Sequence, residues 1–268
     1  MPAYKSNFIV LRRIPLGETD KILTLYTREF GKLSAIAKGA RRITSRLAGA
    51  TEPLMFVRAL LGEGMNLDIV TQAEIRESFP KLRGDFGLFL RATYCCELLD
   101  KTTEERSPDA PVFDLLLSML YILQRAEDPD AVVHAYELQL MAQAGYEPRL
   151  DSCARCEQGF DPAHGIMEAA YSPPRGGVLC EECTTQARED VIALSPEAAE
   201  TMRHLAGQTN ARTLAATVLA PELSEQINRV VRAHLRYRLE REMKSTAFLD
   251  AFRVGAMDDL SGSTDAPQ

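Results

Sequence analysis

Two Cys-x-x-Cys pairs, Cys153 with Cys156 and Cys180 with Cys183, stand 23 residues apart and constrain this chain of 268 residues more than any other feature. Each pair curls tightly enough for its two sulfurs to face one point. Together the four thiolates suit one tetrahedral Zn²⁺, with the intervening chain as a loop or ribbon. Glu157, Gly159, Asp161 and Pro162, followed by Pro173, Pro174, Gly176 and Gly177, supply the turn chemistry that a small metal-stapled lobe with little core of its own requires. Two disulfides or a redox pair are the competing readings. Disulfides belong to exported chains, and a thioredoxin-like pair opens a helix after a buried strand, whereas Gly145 to Ser152 reads as a turn. A four-cysteine site has no open position for a substrate water, so the expected metal is architectural.

The rest of the composition is that of an ordinary globular chain, 46% hydrophobic and 26% charged. Residues 1–10 lack the apolar run of a secretory signal, and the best apolar stretch, Val112 to Leu123, is broken by Asp114 and too short to span a bilayer. The expectation is a soluble cytoplasmic protein. Cys95 and Cys96 fall in an apolar helical stretch and read as buried free thiols. The net charge of -7 conceals an asymmetry. Residues 1–83 carry 14 Lys and Arg against 8 Asp and Glu, so the acidity lies entirely beyond them. Only the N-terminal part offers a field that attracts nucleic acid.

That part alternates short β-branched and apolar runs with turns. Five strands are predicted between Asn7 and Arg76, with breaks at Pro15–Asp20, Glu29–Gly31, Gly39–Pro53 and Gly62–Met65. Five strands in so short a span suit a small closed barrel, of which the oligonucleotide-binding fold is the commonest. After Pro80 the period becomes helical, near 86–102, 111–125 and 129–144, then again from Ser195 and over 221–243. Ile227, Val231, Leu235 and Leu239 form an i, i+4 core stripe on the last helix. The fold class is therefore α+β and multidomain. A five-stranded barrel at 1–80 precedes a helical domain at 81–149 and 187–253, a zinc lobe at 150–186 is inserted in it, and a polar tail at 254–268 is expected to be disordered.

Catalytic patterns are missing. His134, His164, His204 and His234 are scattered, Leu179 stands where a zinc deaminase requires proline, and no Walker A loop or G-x-G-x-x-G occurs. The expectation is a protein that is not an enzyme. The positive motif is G-K-L-S-A-I-A-K-G-A-R-R-I-T-S-R, Gly31 to Arg46. A strand ending at Lys38 and Gly39 and running into Arg41, Arg42 and Arg46 places four cations on a barrel connection, where phosphates are reachable without burying charge. A solvated basic loop is the alternative. Phe8, Tyr26, Phe30 and Phe56 are the nearby aromatics, and they serve a core as readily as a base stack.

These pieces, in this order, carry a resemblance. F-I-V-L-R-R with G-E-T-D-K-I-L-T-L-Y-T, the Gly31–Arg46 segment, the paired knuckles and the closing R-Y-R-L-E-R-E-M-K-S-T-A-F-L resemble the RecO family of bacterial recombination mediators over nearly the whole chain. The resemblance implies an N-terminal oligonucleotide-binding barrel and a helical domain carrying a zinc lobe with one structural Zn²⁺ per chain. It further implies a cytoplasmic, nucleoid-associated DNA-repair protein that binds single- and double-stranded DNA, anneals complementary strands, engages the acidic C-terminal tail of single-strand binding protein, and works with RecR to load RecA. No membrane is involved. Lys32, Lys38, Arg41, Arg42 and Arg46 lie in the matching segment and are the expected DNA contacts. For the tail, an apolar groove along Ile227, Val231 and Leu235, flanked by Arg229, Arg232 and Arg236, suits acidic residues, an aromatic and a free carboxylate.

On the residues alone, a nucleic-acid-binding module and a zinc-stapled interaction scaffold both stand. A zinc-dependent transcriptional regulator is the rival that reads bases, through a recognition helix. Sequence-independent binding with steep salt dependence separates it from a mediator.

Overall fold

The computed structural model describes residues 2–161, 167–239, 243–246 and 249. Two compact units divide the chain. One comprises residues 1–100 and 104–108 with the described residues from Met243 onward; the other comprises 101–103 and 109–242.

The first unit is built on five strands, β1 (Ala3–Leu16), β2 (Asp20–Thr27), β3 (Gly31–Ala37), β4 (Phe56–Gly62) and β5 (Asp68–Glu77). They close in the order β1-β2-β3-β5-β4. Closure depends on the length of β1, whose first half pairs with β4 (Ala3↔Gly62 to Ile9↔Phe56) and whose second half pairs with β2 (Phe8↔Thr27 to Leu16↔Asp20). The register shifts between Val10 and Arg12, the kind of bulge that bends a strand and sharpens its twist. Alternation is strict along β3, where Leu33, Ala35 and Ala37 point inward onto Val10, Leu23, Leu25, Val57, Leu61 and Val70. Each large aliphatic side chain so buried contributes about 1.5–3 kcal/mol. A parallel pairing, Ala35↔Asp68 and Ile36↔Ile69, completes the ring.

Asp68 is fully buried at that seam. Its carboxylate accepts from Tyr4 Oη at 2.5 Å, from Arg106 Nη2 at 3.2 Å and from the Gly64 amide at 3.1 Å. Burial, and then the hydrogen bond to this carboxylate, push the Tyr4 hydroxyl well above its ordinary pKa, so it remains a donor. The start of β3 is covered by the 104–108 segment, with the Arg106 amide on the Lys32 carbonyl at 2.7 Å. An otherwise open strand edge is thereby closed. The short α1 (Pro80–Gly84) and α2 (Phe86–Thr102), whose residues to Asp100 fall in this unit, follow the barrel. Cys95 and Cys96 are buried on α2, as expected.

In the second unit, α4 (Pro129–Gln143) is buried nearly all round and packs against α3 (Ala110–Leu123), α6 (Pro196–Gly207), α7 (Ala211–Ala215) and α8 (Pro221–Leu239). Sequence punctuation sets the ends. Asp109, Asp128, Ser195 and Asn210 each accept first-turn amides, and Gly145 takes the left-handed conformation just beyond α4. Between α4 and α6 the chain forms the cysteine lobe, with β6 (Glu168–Ser172), β7 (Gly177–Cys180), α5 (Glu181–Thr185) and β8 (Ile192–Ala193) in a sheet of order β7-β6-β8. The tail expected to be disordered, 254–268, lies outside the described residues.

Candidate metal centre and nucleic-acid interface

All four knuckle sulfurs lie within 4.8 Å of one another. Cys156 Sγ and Cys180 Sγ are 3.9 Å apart. Tetrahedral Zn–S bonds of about 2.3 Å place sulfurs roughly 3.8 Å apart, so the cluster fits the ion. Local structure explains the convergence. Cys153 to Cys156 wrap one turn that ends on Glu157 at φ +64°, with the Glu157 amide on the Cys153 carbonyl at 2.9 Å. Cys180 ends β7 and Cys183 lies one turn into α5, so strand and helix deliver the second pair. Gly177 is obligatory here, because a Cβ would press on Arg149 and Ala154 across the lobe.

The electrostatics of the cluster are compatible with a bound cation. Burial raises the Cys153 thiol, but the backbone amides of Cys156, Cys180 and Arg155 outweigh it and bring the pKa down to about 6. Burial and the neighbouring sulfurs push Cys183 up to about 12, and burial raises Cys180. One thiolate forms readily and its neighbours resist further negative charge, the condition that a divalent ion relieves. Only Cys156 of the four is exposed.

On the barrel, the segment after β3 forms a succession of turns from Lys38 to Ala48. Lys38, Arg41, Arg42 and Arg46 are all exposed, and among the described residues none has a carboxylate within ion-pairing distance. The loop is held at both ends by the β1–β2 hairpin. Asp20 Oδ1 accepts from the Gly39 amide and from Thr19 Oγ1, both at 2.8 Å, while the Arg41 amide donates to the Thr19 carbonyl and its Nη1 to the Gly17 carbonyl. At the far end, the buried Lys21 ammonium reaches Ala48 O, Thr51 Oγ1 and Glu52. The result is four cations on a clamped, solvent-facing loop.

Two family models match the chain, "Recombination protein O N terminal" over residues 1–79 and "Recombination protein O C terminal" over residues 83–247. The chain belongs to the RecO family. Relatives named DNA repair protein RecO match nearly end to end. That of Symbiobacterium thermophilum is 38% identical over 254 residues, covering 94% of this chain and 99% of its own length. That of Pelotomaculum thermopropionicum is 36% identical over 265 residues, 99% and 100%. That of Dehalococcoides mccartyi is 30% identical over 251 residues, 94% and 96%. The boundary between the two RecO models falls at Pro80, where the strand period gives way to helices.

Two sets of expected contacts in this RecO-family chain sit apart from the loop. Lys32 does not join the basic loop. It lies at the opposite end of β3, mostly buried, with Nζ 3.2 Å from Asp100 Oδ1 and 2.5 Å from the Asp100 carbonyl, so its charge is spent inside the unit. Among the described residues of the last helix, the apolar stripe does not face solvent. Ile227, Val231 and Leu235 are buried in the core, as the periodicity alone indicates. Of the three cations beside that stripe, Arg232 is half-buried with Nε on Asn228 Oδ1 at 3.3 Å. Arg229, 3.7 Å from Glu225, and Arg236 are exposed. Sequence reasoning also missed Asp20 and Lys21 as the clamps of the loop. Their signal was present as the charged pair in G-E-T-D-K, but only strand pairing shows what they face.

Proposed function

We propose that this RecO-family chain is a DNA-repair protein without catalytic turnover that binds single- and double-stranded DNA through an oligonucleotide-binding barrel. The observation that carries the reading is the basic loop, with four exposed cations clamped at both ends and free of carboxylate partners among the described residues. Such a loop meets phosphates and leaves the bases unread. Lowering the repulsion between two strands while their pairing edges stay open favours annealing. The family's further role, loading RecA together with RecR on DNA coated by single-strand binding protein in the bacterial cytoplasm and nucleoid, is part of this proposal. Arg229 and Arg236 are the available contacts for the acidic tail of that protein. Cys153, Cys156, Cys180 and Cys183 would hold one zinc ion, which supplies cross-linking of the lobe and no reaction step.

Replacing Lys38, Arg41 and Arg42 with Glu tests the reading. Binding to every sequence tried should weaken and annealing of complementary oligonucleotides should slow in parallel, while folding stays intact. An unaltered annealing rate at moderate salt would remove the loop from the DNA site.

A further inference from the structure

Between the loop's arginines stands Ile43, fully exposed at the tip. A lone exposed isoleucine is ordinary on a protein surface. This one is placed differently. Arg41 and Arg42 precede it, Arg46 follows it, and the turn around it is internally bonded, the Ser45 amide on the Arg42 carbonyl at 3.0 Å and the Arg42 amide on the Gly39 carbonyl at 3.1 Å. The Arg41 bond to Gly17 ties the loop to the β1–β2 hairpin, where Ile14 and Leu16 are also exposed. Met65 is the useful contrast. It is as exposed as Ile43, but its turn carries Glu63 and no cation, so nothing there draws in a polyanion.

We infer that Ile43 is a wedge that enters between neighbouring bases while the flanking arginines hold the phosphates, and that it makes the loop favour unstacked DNA over intact duplex. The inference rests on the proposed DNA-binding role of this loop. Cations alone do not produce such a preference, because both forms present phosphates. An aliphatic side chain placed among bases gains only where a step opens, and opening costs several times RT in duplex and little in a single strand or at a frayed end. A β-branched side chain is suited to the task, since its restricted χ1 leaves little rotamer freedom to lose on insertion. Residues 38–48 contain no aromatic side chain, which leaves the exposed Ile43 as the loop's apolar group for contact with base faces.

The test uses the full chain with oligonucleotides carrying a stacking-quenched aminopurine, as single strand and as duplex, alongside fluorescein anisotropy for affinity. The wild-type chain should raise aminopurine emission by roughly twofold or more on the single strand, reporting lost stacking. Ile43→Ser should bind single strand within about threefold of wild type, because the phosphate contacts remain, yet lose the emission rise and most of the preference for single strand. Ile43→Leu should retain both. A full emission rise from Ile43→Ser, or wild-type binding without any rise, overturns the wedge and leaves the phosphate-binding loop standing. Undiminished binding by the Lys38, Arg41, Arg42 charge reversal overturns the loop as the DNA site, and the wedge with it.

Discussion

Asp20 bonds the first residues of the basic loop through one carboxylate oxygen, and its role opposes what charge alone implies. The Gly39 amide, then Thr19, hold its carboxyl below the usual pKa, with Lys38 and Arg42 nearby as lesser causes. Replacing it with alanine makes the loop more positive, so a purely electrostatic account has DNA affinity rising. If the clamp matters more, Asp20→Ala lowers affinity severalfold by freeing the cations to move, a sign that anisotropy at fixed salt reads directly. A second residue-scale device is His234. Its Nδ1 meets Tyr171 Oη at 2.5 Å and its Nε2 the Tyr146 carbonyl at 2.7 Å, an arrangement that suits neutral imidazole donating from Nε2. Burial lowers its pKa, against the opposing pull of the Tyr146 bond. The unfolded chain therefore takes up this proton first, so His234 costs no stability above its ordinary pKa of about 6.5 and subtracts stability as pH falls from there toward its folded value. Imidazole resonances followed through a pH titration should place His234 below an exposed histidine; titration at or above the ordinary value contradicts the assignment.

At the scale of elements, the cysteine lobe is small, with Leu179 and the cysteines other than Cys156 buried and Phe160 partly so. Its strands do not make a self-sufficient core, so metal binding there would supply folding energy. One zinc per chain is expected by elemental analysis of untagged protein. Chelation, or serine at Cys153, Cys180 or Cys183, should lower the melting temperature by about 5–10 °C, which is roughly 2–3 kcal/mol for a unit of this size. A zinc-free preparation with unchanged melting would refute the site. The β6–β7 turn supplies an independent check. Gly176 sits at φ +68°, and a Cβ there would overlap the Arg238 guanidinium. Gly176→Ala should destabilise by about 1–2 kcal/mol in urea, and Arg238→Ala in the same chain should recover the steric share but not the backbone share.

Across the whole molecule, the charge pattern and the period change tell one story. A basic barrel precedes a larger acidic remainder, so if DNA binds as proposed its phosphate contacts should concentrate at the N-terminal end. The logarithm of affinity should therefore fall linearly with the logarithm of salt, and the Lys38, Arg41, Arg42 charge reversal should reduce that slope by roughly 0.7–0.9 for each phosphate no longer neutralised, single strand to duplex. An unchanged slope would mean that these side chains touch no phosphate. No described helix is long and apolar enough to cross a membrane. Much of this plan is legible from local pattern. Alternation marks the strands because one face of each is buried; Asp, Ser and Asn announce helix starts because first-turn amides need acceptors; and the Cys-x-x-Cys spacing announces the four-sulfur cluster because each pair turns its sulfurs to one point. Other features depend on partners distant in sequence. Lys32 and Lys38 look alike in a basic strand, yet Asp100 takes the first and leaves the second in solvent. Asp20 and Lys21 become clamps only when β2 lies beside β3, and Ile227, Val231 and Leu235 become core only when α8 packs. Periodicity says which face of an element is apolar, whereas pairing and packing decide what that face meets, and hence which charges remain for a ligand.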